Sequence, residues 1–99
     1  MIDLKKKFLI YGYGISGKSI AKYLKIRKCN YQIYDDNIIS LKSHKVINKN
    51  SVIKNIKQFD YFIVSPSIKI DKSHFLFPHK NQIIIDLDFL SLEIKKQII

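Results

Sequence analysis

The residues best able to do chemistry are gathered in Gly12-Tyr13-Gly14-Ile15-Ser16-Gly17-Lys18-Ser19. An apolar run, Phe8-Leu9-Ile10-Tyr11, leads into it and an amphipathic segment follows. A strand, a glycine turn and a helix in that order bring backbone N–H groups against a phosphate. Two patterns overlap here. Gly12-x-Gly14-x-x-Gly17 is the dinucleotide-type fingerprint, and Gly12-x-x-x-x-Gly17-Lys18-Ser19 also satisfies the P-loop. In a P-loop, Lys18 would reach the terminal phosphates and Ser19 would hold magnesium. The pair Asp35-Asp36 follows at about the 20-residue distance where a dinucleotide site keeps an acid for ribose. Two adjacent carboxylates disfavour a 2′-phosphate, and so NADP. Ser65-Pro66-Ser67 reads equally as a turn or as a ligand contact. Under the P-loop reading Ile83-Ile84-Ile85-Asp86 is a strand ending in a magnesium-holding aspartate, although any buried strand with an acidic cap looks the same. His44, His74 and His79 share no metal-ligand spacing and read as surface histidines. No Ser/His/Asp or Cys/His arrangement is visible, and the aromatic residues read as packing.

Composition bounds these readings. A chain of 99 residues with 46% hydrophobic content is one domain, residues 1–99, with a modest core. No apolar run approaches a membrane span of about 20 residues. Met1 to Lys7 lacks a signal-peptide pattern. A single cysteine, Cys29, permits no internal disulfide and suits a reducing cytoplasm. The net charge of +10 is almost entirely lysine, spread along the chain, with Arg27 the only arginine. Nucleic-acid readers favour arginine and clustered patches, so no nucleic-acid partner is expected. The field still attracts small anions.

The elements that must position the motifs alternate. The first strand covers about Lys7 to Tyr11, unbroken apolar as in a parallel sheet buried on both faces. The first helix covers about Ser16 to Arg27, with Gly17, Ala21 and Leu24 on one stripe beside Ile20. It stops near Asn30, the expected left-handed residue. The second strand is Tyr31 to Tyr34, then loop from Asn37 to His44, with a short third strand at Lys45-Val46-Ile47. Ser51 caps a short helix through Lys57, with Val52, Ile53 and Ile56 inward. The fourth strand runs from Phe59 to Val64. Asp71 caps a short helix that Pro78 cuts or kinks. The fifth strand is Gln82 to Ile85, and a last amphipathic helix from about Leu87 to Lys96 carries Leu87, Leu90 and Ile94 at helical spacing. This alternation predicts an α/β, Rossmann-like three-layer domain with a five-stranded parallel sheet in the order 3-2-1-4-5. Its ligand crevice lies beyond the strand C-termini, where the order reverses.

Four segments stand in the order and near the spacings of a known family: Gly12 to Ala21, Tyr34-Asp35-Asp36, Ile63 to Ile68, and Asp86-Leu87-Asp88-Phe89-Leu90. Together they resemble the N-terminal domain of the Mur ligases, and within these the D-glutamate-adding MurD type, over essentially the whole chain. The resemblance implies binding of the UDP part of UDP-N-acetylmuramoyl-L-alanine in peptidoglycan synthesis. The glycine turn, Gly14, Ile15 and Ser16 with Gly12 and Gly17, would lie at the pyrophosphate. Asp35 and Asp36 match uracil-recognising positions, and Ser65, Pro66 and Ser67 match a Ser-Pro-Gly loop facing the ligand. It implies no catalytic residue, metal or cofactor in this domain. ATP, Mg2+ and D-glutamate belong to central and C-terminal domains beyond Ile99, so these 99 residues alone would be inactive. Three residues depart from the family: Ser67 and Ile85 replace glycines, and Lys28 stands where the first helix usually ends in glycine. An NAD-binding module is the main alternative, and a P-loop nucleotide binder the next.

Overall fold

The apolar run before the glycine turn forms strand β1 (Lys7–Tyr11), and the amphipathic segment after it forms helix α1 (Ile15–Ile26). The computed structural model describes residues 5–37 and 42–98, with side chains described through residue 92. Strand β2 (Asn30–Tyr34), helix α2 (Lys49–Lys54), strands β3 (Tyr61–Val64) and β4 (Ile83–Ile85), and helix α3 (Asp86–Ile98) complete the order, with short 3-10 turns at Ile56–Gln58 and Phe77–Gln82. All strand pairs are parallel, in the order β2-β1-β3-β4. No helix among the described residues is long and apolar enough to cross a membrane.

The pleat explains the unbroken apolar strands. Side chains alternate between faces, so Phe8 and Ile10 face α1 and α3 in a cluster with Ile20, Leu24 and Phe89. Leu9 and Tyr11 face the other way, against Val52, Phe62 and Leu76. Each face is covered, and the inner strands β1 and β3 are apolar on both sides beyond their first residue, while β2 at the edge keeps Asn30 exposed and Gln32 half-buried on the Leu9 face.

The expected five-stranded sheet has four strands, and its order therefore differs from 3-2-1-4-5. Lys45-Val46-Ile47 does not form the outer strand. It makes one parallel bridge, Ile33 to Val46, at the free edge of β2. Ser43 is the reason: its hydroxyl accepts from Lys45 N (3.1 Å), the donor that would extend the ladder along β2, while its carbonyl closes a local turn on Val46 N (3.1 Å). Asn48, not Ser51, caps α2, its side chain accepting from Ser51 N at 2.8 Å. Val52 is buried as expected, but Ile53 is exposed. Asp71 shapes a turn with Ser73, and Pro78 opens a 3-10 helix, kinked at His79, instead of cutting one. Parts of the loop expected from Asn37 to His44, and the side chain of Ile94, lie outside the described residues.

The end of α1 also differs. Cys29 N donates to Leu24 O (2.9 Å) and Lys28 N to Lys25 O (3.1 Å), the paired bonds of a Schellman cap. The left-handed residue is thus Lys28 (φ 57°), not Asn30. A lysine held there is strained by about 1 kcal/mol relative to glycine. Lys28→Gly is expected to raise unfolding stability by about that amount, less glycine's larger unfolded-state entropy. A loss of about 0.4–1 kcal/mol in a urea titration, what glycine's entropy alone would cause, would show that the Cβ carries no strain.

Candidate functional site

The chain turns back on itself just after β1. Gly12 adopts φ +101° and donates its N–H to Tyr34 O at 2.8 Å. A Cβ on Gly12 would stand 2.9 Å from that of Ser65, whose own N–H is bound to Tyr11 O at 3.0 Å. The turn is thereby clamped between the C-terminal ends of β2 and β3. β1 connects through α1 to β2 on one side, and its other neighbour is β3, so the turn sits where strand order reverses.

The three glycines have separate jobs. Gly12 supplies the positive φ. Gly17 lies inside α1, and a Cβ there would overlap the carbonyl of Gly12, so it lets the helix press against the turn. Gly14 is the N-cap of α1 in extended conformation, and nothing lies within 4 Å of where its Cβ would be. No packing demand among the described residues explains glycine at that point. No side chain caps α1, and its first turn contains no acid. The N–H groups of that turn have no intrahelical acceptors and carry the positive end of the helix dipole. Ile15, 89% exposed, stands beside them. Backbone groups of this kind hold anions at helix N-termini.

The acidic pair divides between two tasks. Asp35 accepts the N–H of Tyr13 at 2.7 Å and of Asn37 at 2.8 Å, which ties the end of β2 to the glycine turn. Asp36 accepts the hydroxyls of Tyr11 (2.8 and 2.9 Å) and Tyr34 (2.9 Å). Both rings belong to the α2 face of the sheet. Burial first, then Asp36, pushes the Tyr11 phenol well above its usual range and that of Tyr34 up to about 12. A cavity of about 470 Å³ opens beside them, lined by Asp36, Lys49, Lys69, Asp71, Ser73 and His74, among others.

His74 is the functional-site residue that spacing missed. Its Nδ1 accepts the N–H of Leu76 at 3.1 Å, which puts the ring proton on Nε2, 3.1 Å from Tyr11 Oη. A neutral relay follows, from imidazole to phenol to the Asp36 carboxylate. Protonation would set a second N–H against that of Leu76. Burial holds His74 below the usual histidine range, against the pull of Asp36 and Asp71 and with the aid of Lys49. The folded state therefore resists a proton that the unfolded chain takes up at about pH 6.5. Its contribution is full above that pH and is lost as pH falls towards the folded-state value. Between pH 7 and 5, wild-type stability should fall more steeply than that of His74→Gln. Parallel profiles for the two would refute the locked tautomer.

The remaining residues are less constrained. Ser65 and Ser67 hydroxyls lie 3.1 Å apart, and Pro66 and Ser67 are exposed. Ser67 is not left-handed, because Lys28 alone among the described non-glycine residues has positive φ. The glycine-to-serine departure thus brings no backbone strain. Features the P-loop reading needs are arranged otherwise. The helix begins at Ile15, before Lys18, whose ammonium stands 5.7 Å from the Tyr13 ring, and Ser19 Oγ donates back to Ile15 O at 3.2 Å. Asp86 is 3% exposed, its Oδ1 lacks a partner, and burial raises its pKa. A carboxylate so enclosed is poorly placed to meet a hydrated cation.

Gly12, Gly14, Ile15, Ser16, Gly17 and Ser65 thus lie together about the turn at the end of β1, with Asp35 bracing it and Asp36 held by the two tyrosine hydroxyls. Set against known protein families, curated proteins and solved structures, the chain matches none in any of the three.

Proposed function

We propose that the chain binds the UDP moiety of UDP-N-acetylmuramoyl-L-alanine, as the N-terminal, Rossmann-like part of a D-glutamate-adding Mur-type ligase. The observation that carries this reading is the uncapped start of α1 beside Gly14, where the space a side chain would fill is open. The pyrophosphate accepts from the first-turn N–H groups, as anions do at helix N-termini. Asp36 is an exposed residue, and a carboxylate has about four acceptor positions. It keeps capacity for the uracil ring N–H after taking two phenols. The ATP, Mg2+ and D-glutamate chemistry of such a ligase belongs to its other domains, and on this reading the domain by itself, given precursor, ATP, magnesium and D-glutamate, forms no product.

NAD is the competing ligand. Its ribose hydroxyls would need an acid after the second strand as acceptor, and Asp35 and Asp36 each keep acceptor positions beyond the hydrogen bonds they already take. Calorimetric titration with UDP, the muramoyl precursor and NAD tests the choice. UDP is expected to bind weakly, the precursor at least as well, and NAD no better than UDP. Tight NAD binding without UDP binding would make the domain a dehydrogenase-type module.

A further inference from the structure

Five lysines converge on a second concavity that the UDP reading does not use. Lys18, Lys22 and Lys25 stand at helical spacing along one flank of α1. Lys42 and Lys45 face them from the segment that ends in the Ile33–Val46 bridge, and the cavity between holds about 440 Å³. Tyr31 and Ile33 of β2 also line it, with Tyr13 at one end, and there is no acidic residue among its described lining.

The placement is specific. Ile33 N donates to Lys45 O (2.8 Å) and Ile47 N to Ile33 O (2.9 Å), which fixes the bridged segment opposite the helix. Ala21, the chain's only alanine, lies in the lining between the helical lysines and leaves the cavity its width. Two of the ammonium groups rest on aromatic rings, Lys18 5.7 Å from Tyr13 and Lys45 4.8 Å from Tyr31. Those contacts offset part of the repulsion among five like charges. Water and salt screen the rest at these mostly exposed positions, and a bound polyanion would neutralise it further.

We propose that this cavity between α1 and the bridged segment is a binding site for a clustered phosphoanion of three or more phosphates, free or as the tail of a nucleotide. Its volume is that of a small-molecule site. Lysine supplies the point charges that suit phosphate without the planar fork of a base reader. A single phosphate meets too few of the ammonium groups to be held. The site lies on the α1 flank, distinct from the helix N-terminus proposed for UDP, although Tyr13 and Lys18 border both.

The test is calorimetry and amide-shift mapping with inorganic tripolyphosphate, orthophosphate, ATP and a short single-stranded oligonucleotide. Tripolyphosphate is expected to bind one-to-one, to weaken steeply with salt, and to shift the amides of α1 and of Lys42 to Val46. Orthophosphate should bind at least tenfold more weakly. Binding of ATP at the same amides would identify a nucleotide source, and silence of ATP a free oligophosphate. The combined variant Lys22→Ala, Lys25→Ala, Lys42→Ala should lose at least tenfold in affinity. Lys54→Ala, Lys57→Ala, Lys72→Ala, which removes the same charge from exposed positions elsewhere, should lose less than threefold. Equal losses would mean that net charge alone attracts the anion, and would overturn the site. So would shifts scattered over the surface, or oligonucleotide binding there with tripolyphosphate silent. Should the first variant unfold, the wild-type shift map still decides. UDP binding in that variant should stay unchanged, so failure here and failure of the UDP reading are separable.

Discussion

Gly17→Ala is expected to destabilise the domain by about 3 kcal/mol or more, enough to unfold much of it. The added Cβ would overlap the carbonyl of Gly12. That carbonyl cannot step aside cheaply. Its residue donates to Tyr34 O at 2.8 Å and sits against Ser65. The helix cannot retreat either, because Ile20, Ala21 and Leu24 on the same stripe are buried against the sheet. Gly12→Ala should cost less, about 1–2 kcal/mol for the positive φ plus the contact with Ser65. Gly14→Ala should be nearly neutral, since open space surrounds it. Urea unfolding of the three variants gives the ranking. A Gly17→Ala protein as stable as Gly14→Ala would show that α1 does not press against the turn.

The second large effect is on ligand affinity with the fold intact. Gly14→Val keeps an allowed extended backbone at the N-cap, but puts a branched side chain in the space assigned to the pyrophosphate. UDP affinity should fall by a hundredfold or more, about 2.7 kcal/mol, while the urea midpoint moves little. Lys18→Ala should weaken UDP by less than tenfold, or roughly 1.4 kcal/mol. Its ammonium lies by the Tyr13 ring, and the phosphate contacts proposed are backbone ones. Magnesium should change neither result. If Lys18→Ala abolished binding and affinity for ATP required magnesium, the P-loop reading would replace the present one.

Much of this arrangement was legible in residue types and spacing. The run from Lys7 to Tyr11 is β1 end for end, and the stripe of Gly17, Ile20, Ala21 and Leu24 is the buried face of α1. Both signals are dense: a continuous apolar run and a helical repeat over several turns. The third strand was a weaker signal, three residues long, and Ser43 took the Lys45 donor that would extend it. The cap at Lys28 was masked by a preference: asparagine is the usual non-glycine resident of the left-handed region, so Asn30 stood out. There the bonds to Leu24 and Lys25 settled the matter, two residues earlier.

The candidate site divides the same way. The glycine motif, the acidic pair and the serine loop were visible because each lies in a short stretch at the end of a strand. What each side chain does there was not. Asp35 and Asp36 are neighbours in sequence, yet one braces the glycine turn and the other receives two phenols on the opposite face. The chain bends just past the end of β2, where Asp35 also takes the N–H of Asn37, and the two side chains part there. His74 meets Tyr11 across 63 residues, and no local pattern marks such a pair.

The sequence by itself determined the alternation of strand and helix, a sheet buried on both faces, and a glycine turn at the end of β1. These depend on local backbone preference and on the period of apolar residues, which neighbouring positions carry. Only the tertiary structure decided the number of strands, the separate duties of the three glycines, the partners of Asp35, Asp36 and His74, and the gathering of five lysines around one cavity. Those depend on which distant segments the parallel crossovers bring side by side, and on the hydrogen bonds left to be made once they meet.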